Sequence, residues 1–148
     1  MKTYNIEDLK ALNLCYCPTK FLPEDWTGTM IDVLNVEACP AKDRIYVVCQ
    51  TLASAQNRFF ACWCALEVAH LWDMPPIVRQ YLEMQDESIR EEARNAAYAA
   101  YADAAYAAAA YSAAAAYSAA DAYSAAAAAA DADAAFLPKA IKKLKSMI

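Results

Sequence analysis

A single glycine, Gly28, stands in a chain of 148 residues. Loops that cradle phosphate need several glycines so that backbone N–H groups can close on the anion, and one glycine cannot build such a loop. Histidine also occurs once, as His70. The sequence contains no G-x-x-x-x-G-K-[ST], no G-x-S-x-G and no H-E-x-x-H, so the common phosphoryl-transfer, serine-hydrolase and metalloprotease signatures are missing. Basic residues are few as well. Thirteen Lys and Arg face 18 Asp and Glu, a net charge of −5 that lacks the basic footprint of a nucleic-acid binder and is too mild for a nucleic-acid mimic. The opening stretch MKTYNIEDLKALNL carries acids where a secretory signal has its apolar core, so a cytoplasmic location is expected. The apolar run from Ala104 to Ala130 has the length of a membrane span. It is mostly alanine, which is nearly neutral for insertion, and includes Asp121 and three serines, so a membrane partner is not expected.

Six cysteines are present: Cys15, Cys17, Cys39, Cys49, Cys62 and Cys64. In a reducing compartment they stay as thiols. A zinc site needs four convergent ligands. Cys62 and Cys64 fall in a helical pattern, where residues two apart point to different faces. The six are therefore read as small buried hydrophobes, with no metal and no cofactor. Glu67 and His70, three apart, could pair on one helix face as an acid and a base. A hydrogen-bonded histidine at a helix end is the plainer reading. A Cys/His metal-binding protein stays open as an alternative.

What is present is helix-forming. Asn5 caps a short helix with Asp8 three residues on and Ile6, Leu9 and Leu12 as its apolar stripe. Pro18 and Pro23 bracket a loop, and Gly28 marks a turn before TMIDVLN, whose Met30, Val33 and Leu34 share a face. Pro40 is placed to begin the next helix. DRIYVVCQTLA, from Asp43, could be a strand by its β-branched residues, but Ile45, Val48, Cys49 and Leu52 follow helical spacing. Arg58 to Trp72 is apolar nearly all round and reads as the central helix, with Phe59, Cys62, Trp63 and Leu66 as core anchors. Pro75 and Pro76 separate it from IVRQYLEM, and Asp86 or Ser88 then begins a long segment with acidic first turns.

From Ala96 to Ala135 the chain is almost wholly alanine and tyrosine, without glycine or proline. Alanine has the highest helix propensity, so this tract is helical from local energetics alone. As one rod of ~45 residues it would extend ~68 Å, against a radius of gyration near ~15 Å for a compact chain of this length, so it protrudes or bends. Tyr117 to Ser124, where serine and aspartate concentrate, is the candidate bend. At about 100° per residue, Tyr98, Tyr101 and Tyr123 fall within about 60° of one another, Tyr106 and Tyr117 form a second stripe, and Tyr111 stands alone. The expectation is close-approach alanine surfaces with tyrosines as packing anchors. Pro138 can start a last helix with Leu137, Ile141, Leu144 and Ile148 as its stripe and Lys139, Lys142, Lys143 and Lys145 on the rest. The whole reads as one all-α domain over 1–148, a compact helical bundle. Its parts are an N-terminal helical region (1–85), an alanine-rich segment (86–135) that is one helix or a helical hairpin, and a basic amphipathic C-terminal helix (136–148).

DRIYVV at Asp43, the RFFACWCA stretch from Arg58 to Ala65, and REEARNAAYAA from Arg90 resemble the immunity proteins of bacterial polymorphic-toxin systems and the related alanine-rich repeat proteins of phages. The resemblance covers roughly Pro40 to Ala135, and this chain uses tyrosine where those relatives often use tryptophan. It implies an all-α fold and a non-catalytic role in neutralising another protein, such as a toxin, nuclease or defence protein. It carries over no catalytic residue. The expected function is an inhibitor or immunity-type protein, phage-encoded by one side of the resemblance, that is not an enzyme and binds no nucleic acid directly. The expected partner surface is Asp86, Glu87, Glu91 and Glu92 with Tyr98 and Tyr101. A structural or assembly protein is the main alternative.

Overall fold

The computed structural model describes residues 2–101, 107–116 and 122–148. The chain is all-α, with one two-stranded sheet among the described residues, and divides into two compact units. The first comprises Met1–Leu52 with Pro138–Ile148, and the second Ala53–Leu137.

In the first unit, β1 (Tyr4–Asn5) pairs antiparallel with β2 (Thr27–Gly28), Tyr4 opposite Gly28. Gly28 is thus a strand residue rather than the expected turn. A Cβ there would lie 2.7 Å from the Trp26 ring, so the glycine allows a close approach. Helix α1 (Ile6–Lys10) has the expected cap: the Asp8 N–H donates to Asn5 Oδ1 and the Asn5 N–H donates to Asp8 Oδ2, each at 2.9 Å. Helix α2 (Met30–Leu34) repeats the device with Thr29 and Asp32, and buries Met30, Val33 and Leu34 as their spacing predicts. Helix α3 (Ala41–Cys49) resolves the IYVV ambiguity as helix and buries Ile45, Val47, Val48 and Cys49. Arg44 Nη1 donates to the Leu34 carbonyl at 2.7 Å and so closes the C-terminal end of α2.

The last helix, α9 (Phe136–Met147), places its first two residues in the second unit. Its buried stripe is Phe136, Ala140 and Leu144. Of the expected stripe only Leu144 is buried. Lys145 Nζ donates to Asn35 Oδ1 at 2.5 Å and ties the helix to the end of α2.

The second unit is built around α4 (Ser54–Glu67). The helix starts earlier and ends earlier than its apolar run suggests. A 3-10 turn, Ala69–Leu71, follows it and carries an exposed His70. Of the expected anchors, Cys62 is buried, but Phe59 is 44% exposed and its neighbour Phe60 is fully buried. Trp63 is half-buried, its ring 5.9 Å from that of Phe60 and 5.8 Å from that of Phe136. Helix α5 (Pro76–Met84) opens on proline and buries Val78, Tyr81 and Leu82.

The alanine tract is neither one rod nor one hairpin. Among the described residues it supplies three helices, α6 (Arg90–Tyr101), α7 (Ala107–Ala115) and α8 (Ala122–Ala132). α6 packs on α5 and α7, α7 packs on α8, and both α7 and α8 pack on α4. Most of the expected bend, Tyr117 to Asp121, lies outside the described residues, but α7 ends before it and α8 begins within it.

The alanines form the expected close-approach surfaces, whereas the described tyrosines do not serve as buried anchors. Helix α8 buries Ala122, Ala125, Ala126, Ala128 and Ala129, of which 122, 125, 126 and 129 follow the i, i+3, i+4, i+7 spacing of one face, and α7 buries Ala109, Ala110, Ser112, Ala113, Ala114 and Ala115. Tyr98 and Tyr111 are 50% and 40% exposed, Tyr123 is partly exposed, and the side chains of Tyr101, Tyr106 and Tyr117 lie outside the described residues. A methyl group permits a short interhelical distance, and a tyrosine ring would prevent it. At that approach the Ser112 hydroxyl, wholly buried, donates to the Ala125 backbone carbonyl across the α7–α8 contact at 2.9 Å.

Phe60 and Phe59 are adjacent but differently placed, so their alanine variants separate this packing from the expected one. Phe60→Ala should cost about 3–5 kcal/mol and Phe59→Ala less than about 1 kcal/mol in denaturant unfolding, with the reverse ranking contradicting the placement of α4.

Candidate protein-binding surface

The expected partner residues sit on a short corner and the helix that follows it. Helix α5 ends with Gln85 in the left-handed conformation (φ 53°), which turns the chain. Asp86 then caps a 3-10 turn, Glu87–Ile89, accepting from the Ser88 N–H at 2.9 Å and the Ser88 hydroxyl at 2.7 Å. Those two bonds, the hydroxyl's first, hold the Asp86 carboxyl below the usual carboxylate range. The 3-10 turn runs directly into α6 at Arg90, with Glu91 and Glu92 in the first turn of the helix, where its dipole favours acids.

The corner is fixed from α4. Arg58 Nη1 makes an ion pair with Glu87 Oε1, and Arg90 Nη1 reaches Glu87 Oε2 at 3.2 Å. Arg58 is the more buried partner, its side chain 28% exposed against 53% for Glu87. Two of the four expected acids, Asp86 and Glu87, therefore hold the corner in shape, while Glu91 and Glu92 face solvent.

Helix α6 turns Ala93 and Ala97 inward, so Glu91, Glu92, Arg94, Asn95 and Tyr98 form its outer side. Glu91 and Tyr98, seven apart, lie on one stripe. Tyr101 is the last residue of this helix, and its side chain lies outside the described residues. Sequence reasoning missed Arg58, Arg90 and Arg94. Glu87, Arg90, Glu91 and Arg94 line one surface hollow, so the patch alternates in sign. Arg90 and Arg94 stood in the same REEARN stretch as the acids and were the available signal. Arg58 is distant in sequence and could be placed only by the fold.

The wider charge pattern is lopsided. The second unit carries 11 acids against four arginines and no lysine, a net −7 within a chain of net −5, which leaves the first unit at +2.

The other candidate chemistry is dispersed. Cys62 and Cys64 are buried in α4, and burial pushes the Cys62 thiol up to about 12, whereas His70 is exposed. Among the described residues no three His, Cys, Asp or Glu side chains are grouped as metal ligands, and no helix is long and apolar enough to cross a membrane. A scan against protein-family models and searches of curated proteins and of solved structures found no match to this chain.

The Arg58–Glu87 pair is partly exposed and ties two helical elements. A double-mutant cycle with Arg58→Met and Glu87→Gln should give a coupling of about 0.5–1 kcal/mol that shrinks with added salt. A coupling of zero at low salt would remove the pair from the account of the corner.

Proposed function

We propose that this chain is a non-catalytic, helical inhibitor or immunity-type protein that binds another protein stoichiometrically. The observation that carries the reading is the outer side of α6, where Glu91, Glu92 and the half-exposed Tyr98 stand on a unit of net charge −7. Acids of this kind steer a basic partner and speed its encounter, and an exposed tyrosine supplies apolar contact with a polar tip. A nuclease or another nucleic-acid-handling toxin presents such a basic surface, and the resemblance to immunity proteins points the same way. Asp86 and Glu87 act in this reading by shaping the corner, and Arg90 and Arg94 set the charge pattern that a partner has to match. The acidic balance and the expected cytoplasmic location fit a partner met inside the cell.

A second reading, an assembly protein, is favoured by the apolar side chains the second unit leaves outside: Phe59, Met84 at 68% exposure, and Tyr111. Light scattering separates the two, since an assembly protein is oligomeric on its own.

In a pull-down from host lysate, the wild-type chain should retain one partner at fixed stoichiometry. The Glu91→Lys/Glu92→Lys variant should retain at least tenfold less. Equal capture by both would move the site away from α6, and capture of nothing by either would end the binding reading.

A further inference from the structure

The segment between α1 and the 3-10 turn Pro18–Lys20 alternates in burial. Leu12, Leu14 and Tyr16 are partly buried and Pro18 is buried, whereas Asn13, Cys15 and Cys17 are exposed. Both thiols therefore stand on the solvent side. Tyr16, between them, is anchored inward. Its ring meets Phe21 edge-on at 5.5 Å, and its hydroxyl lies 3.8 Å from Cys39 Sγ. The pair is thus displayed by a fixed residue rather than by a free loop. This departs from the expectation that all six cysteines are buried hydrophobes, which describes only Cys39, Cys49, Cys62 and Cys64.

The two exposed thiols differ. Cys15 Sγ reaches toward the Tyr46 hydroxyl at 4.0 Å. Cys17 Sγ lies 3.0 Å from Thr19 Oγ1, a partner able to donate to a thiolate. The Thr19 hydroxyl, and then its backbone N–H, hold the Cys17 thiol below its ordinary range. Lys10 adds to this and Glu24 opposes it. Burial pushes the Cys39 thiol up and the Cys49 and Cys62 thiols the same way, the last two to about 12. The thiolate is the nucleophile, so reactivity in this chain concentrates at Cys17.

We propose that Cys15 and Cys17 form a thiol–disulfide exchange site for small-molecule disulfides of the glutathione class, with Cys17 attacking and Cys15 resolving. The Cys17 thiolate attacks one sulfur of the incoming disulfide. The Cys17–sulfur bond forms, the disulfide bond breaks, and one thiolate leaves. Cys15 then gives its proton to solvent and attacks Cys17 Sγ, forming the Cys15–Cys17 bond and expelling the second thiolate. Two protein thiols are oxidised and one small disulfide is reduced to two thiols. Fully extended, two residues span at most about 6.6–7.2 Å, at or just beyond the ~4.4–6.8 Å between Cα atoms that a disulfide needs, and a bent chain spans less. The ring therefore closes by deepening the bend already present at Cys15 and Tyr16. An exposed, strained disulfide is readily reduced, so the site is a reversible switch on a protein whose resting cysteines are thiols. The proposal is independent of the binding reading above.

The test is incubation of the full chain with oxidised glutathione at pH 7, followed by peptide mass spectrometry. Wild type should end with a Cys15–Cys17 disulfide, and Cys15→Ser should accumulate a glutathione adduct on Cys17. Cys17→Ser should form an adduct on Cys15 several-fold more slowly than Cys15→Ser forms one on Cys17. Thr19→Val provides a second readout. Loss of the Thr19 hydroxyl removes the donor that holds the Cys17 thiol below its ordinary range, so less of it is thiolate at pH 7 and alkylation of Cys17 by iodoacetamide should slow several-fold. Equal adduct rates at the two cysteines, a wild-type chain that stops at the Cys17 adduct, or an alkylation rate unchanged by Thr19→Val would each overturn the assignment. Both cysteines are exposed, so loss of folding does not confuse the outcome.

Discussion

The second unit depends on how closely two alanine-faced helices approach. An alanine loses no side-chain entropy on burial and costs nothing in helix propensity, but it contributes little apolar area. Such a core gains stability only if backbones come close enough for methyl groups and main-chain atoms to pack without gaps. The Ser112 hydroxyl bond to the Ala125 carbonyl records that distance, because a serine side chain is too short to bridge helices held apart by leucines. α7 and α8 are drawn together and both set on α4, and the larger residues Phe60, Val78 and Tyr81 are buried in the same unit. The corner at Asp86 and the outer side of α6 take their positions from this stack.

Much of this was legible where residues differ from their neighbours. Asn5 with Asp8, the Pro76 helix start and the apolar face of TMIDVLN each combine a local rule with a distinctive residue, and the structure agrees with them. The alanine tract is the opposite case. Its helicity followed from propensity, but a uniform tract has no apolar face to read, so nothing in it says which side turns inward or how many helices it makes. Tyrosine was its bulkiest irregularity, and its size suggested an anchor. In an interface only a methyl group deep, the same size excludes it. Phe59 and Phe60 show a related limit: in a helix apolar nearly all round, periodicity cannot choose between neighbours.

The candidate surface was partly legible. The acids of DESIREEARN stood out by composition, and the structure places Glu91 and Glu92 on the solvent side. Their electrostatic setting was hidden, because Arg58 arrives from α4. The cysteines divide along the same line. Four of them behave as the buried hydrophobes that composition suggests. Cys15 and Cys17 do not, and the alternation of Leu14, Tyr16 and Pro18 around them is the signal that separates them. The molecule thus joins two chemically distinct surfaces to helical cores, one acidic and aromatic, the other a displayed thiol pair.

The alanine-depth interface is tested most directly by thermal and denaturant unfolding of Ala125→Leu beside Tyr111→Ala. Ala125 is fully buried against the Ser112 contact, and a leucine there should force α7 and α8 apart, with a loss of about 1–3 kcal/mol or more. Tyr111 lies on the outside of α7, and its removal should change stability by no more than about 0.5–1 kcal/mol. An Ala125→Leu chain as stable as wild type, together with a Tyr111→Ala chain that unfolds readily, would mean that tyrosines rather than alanines form this core.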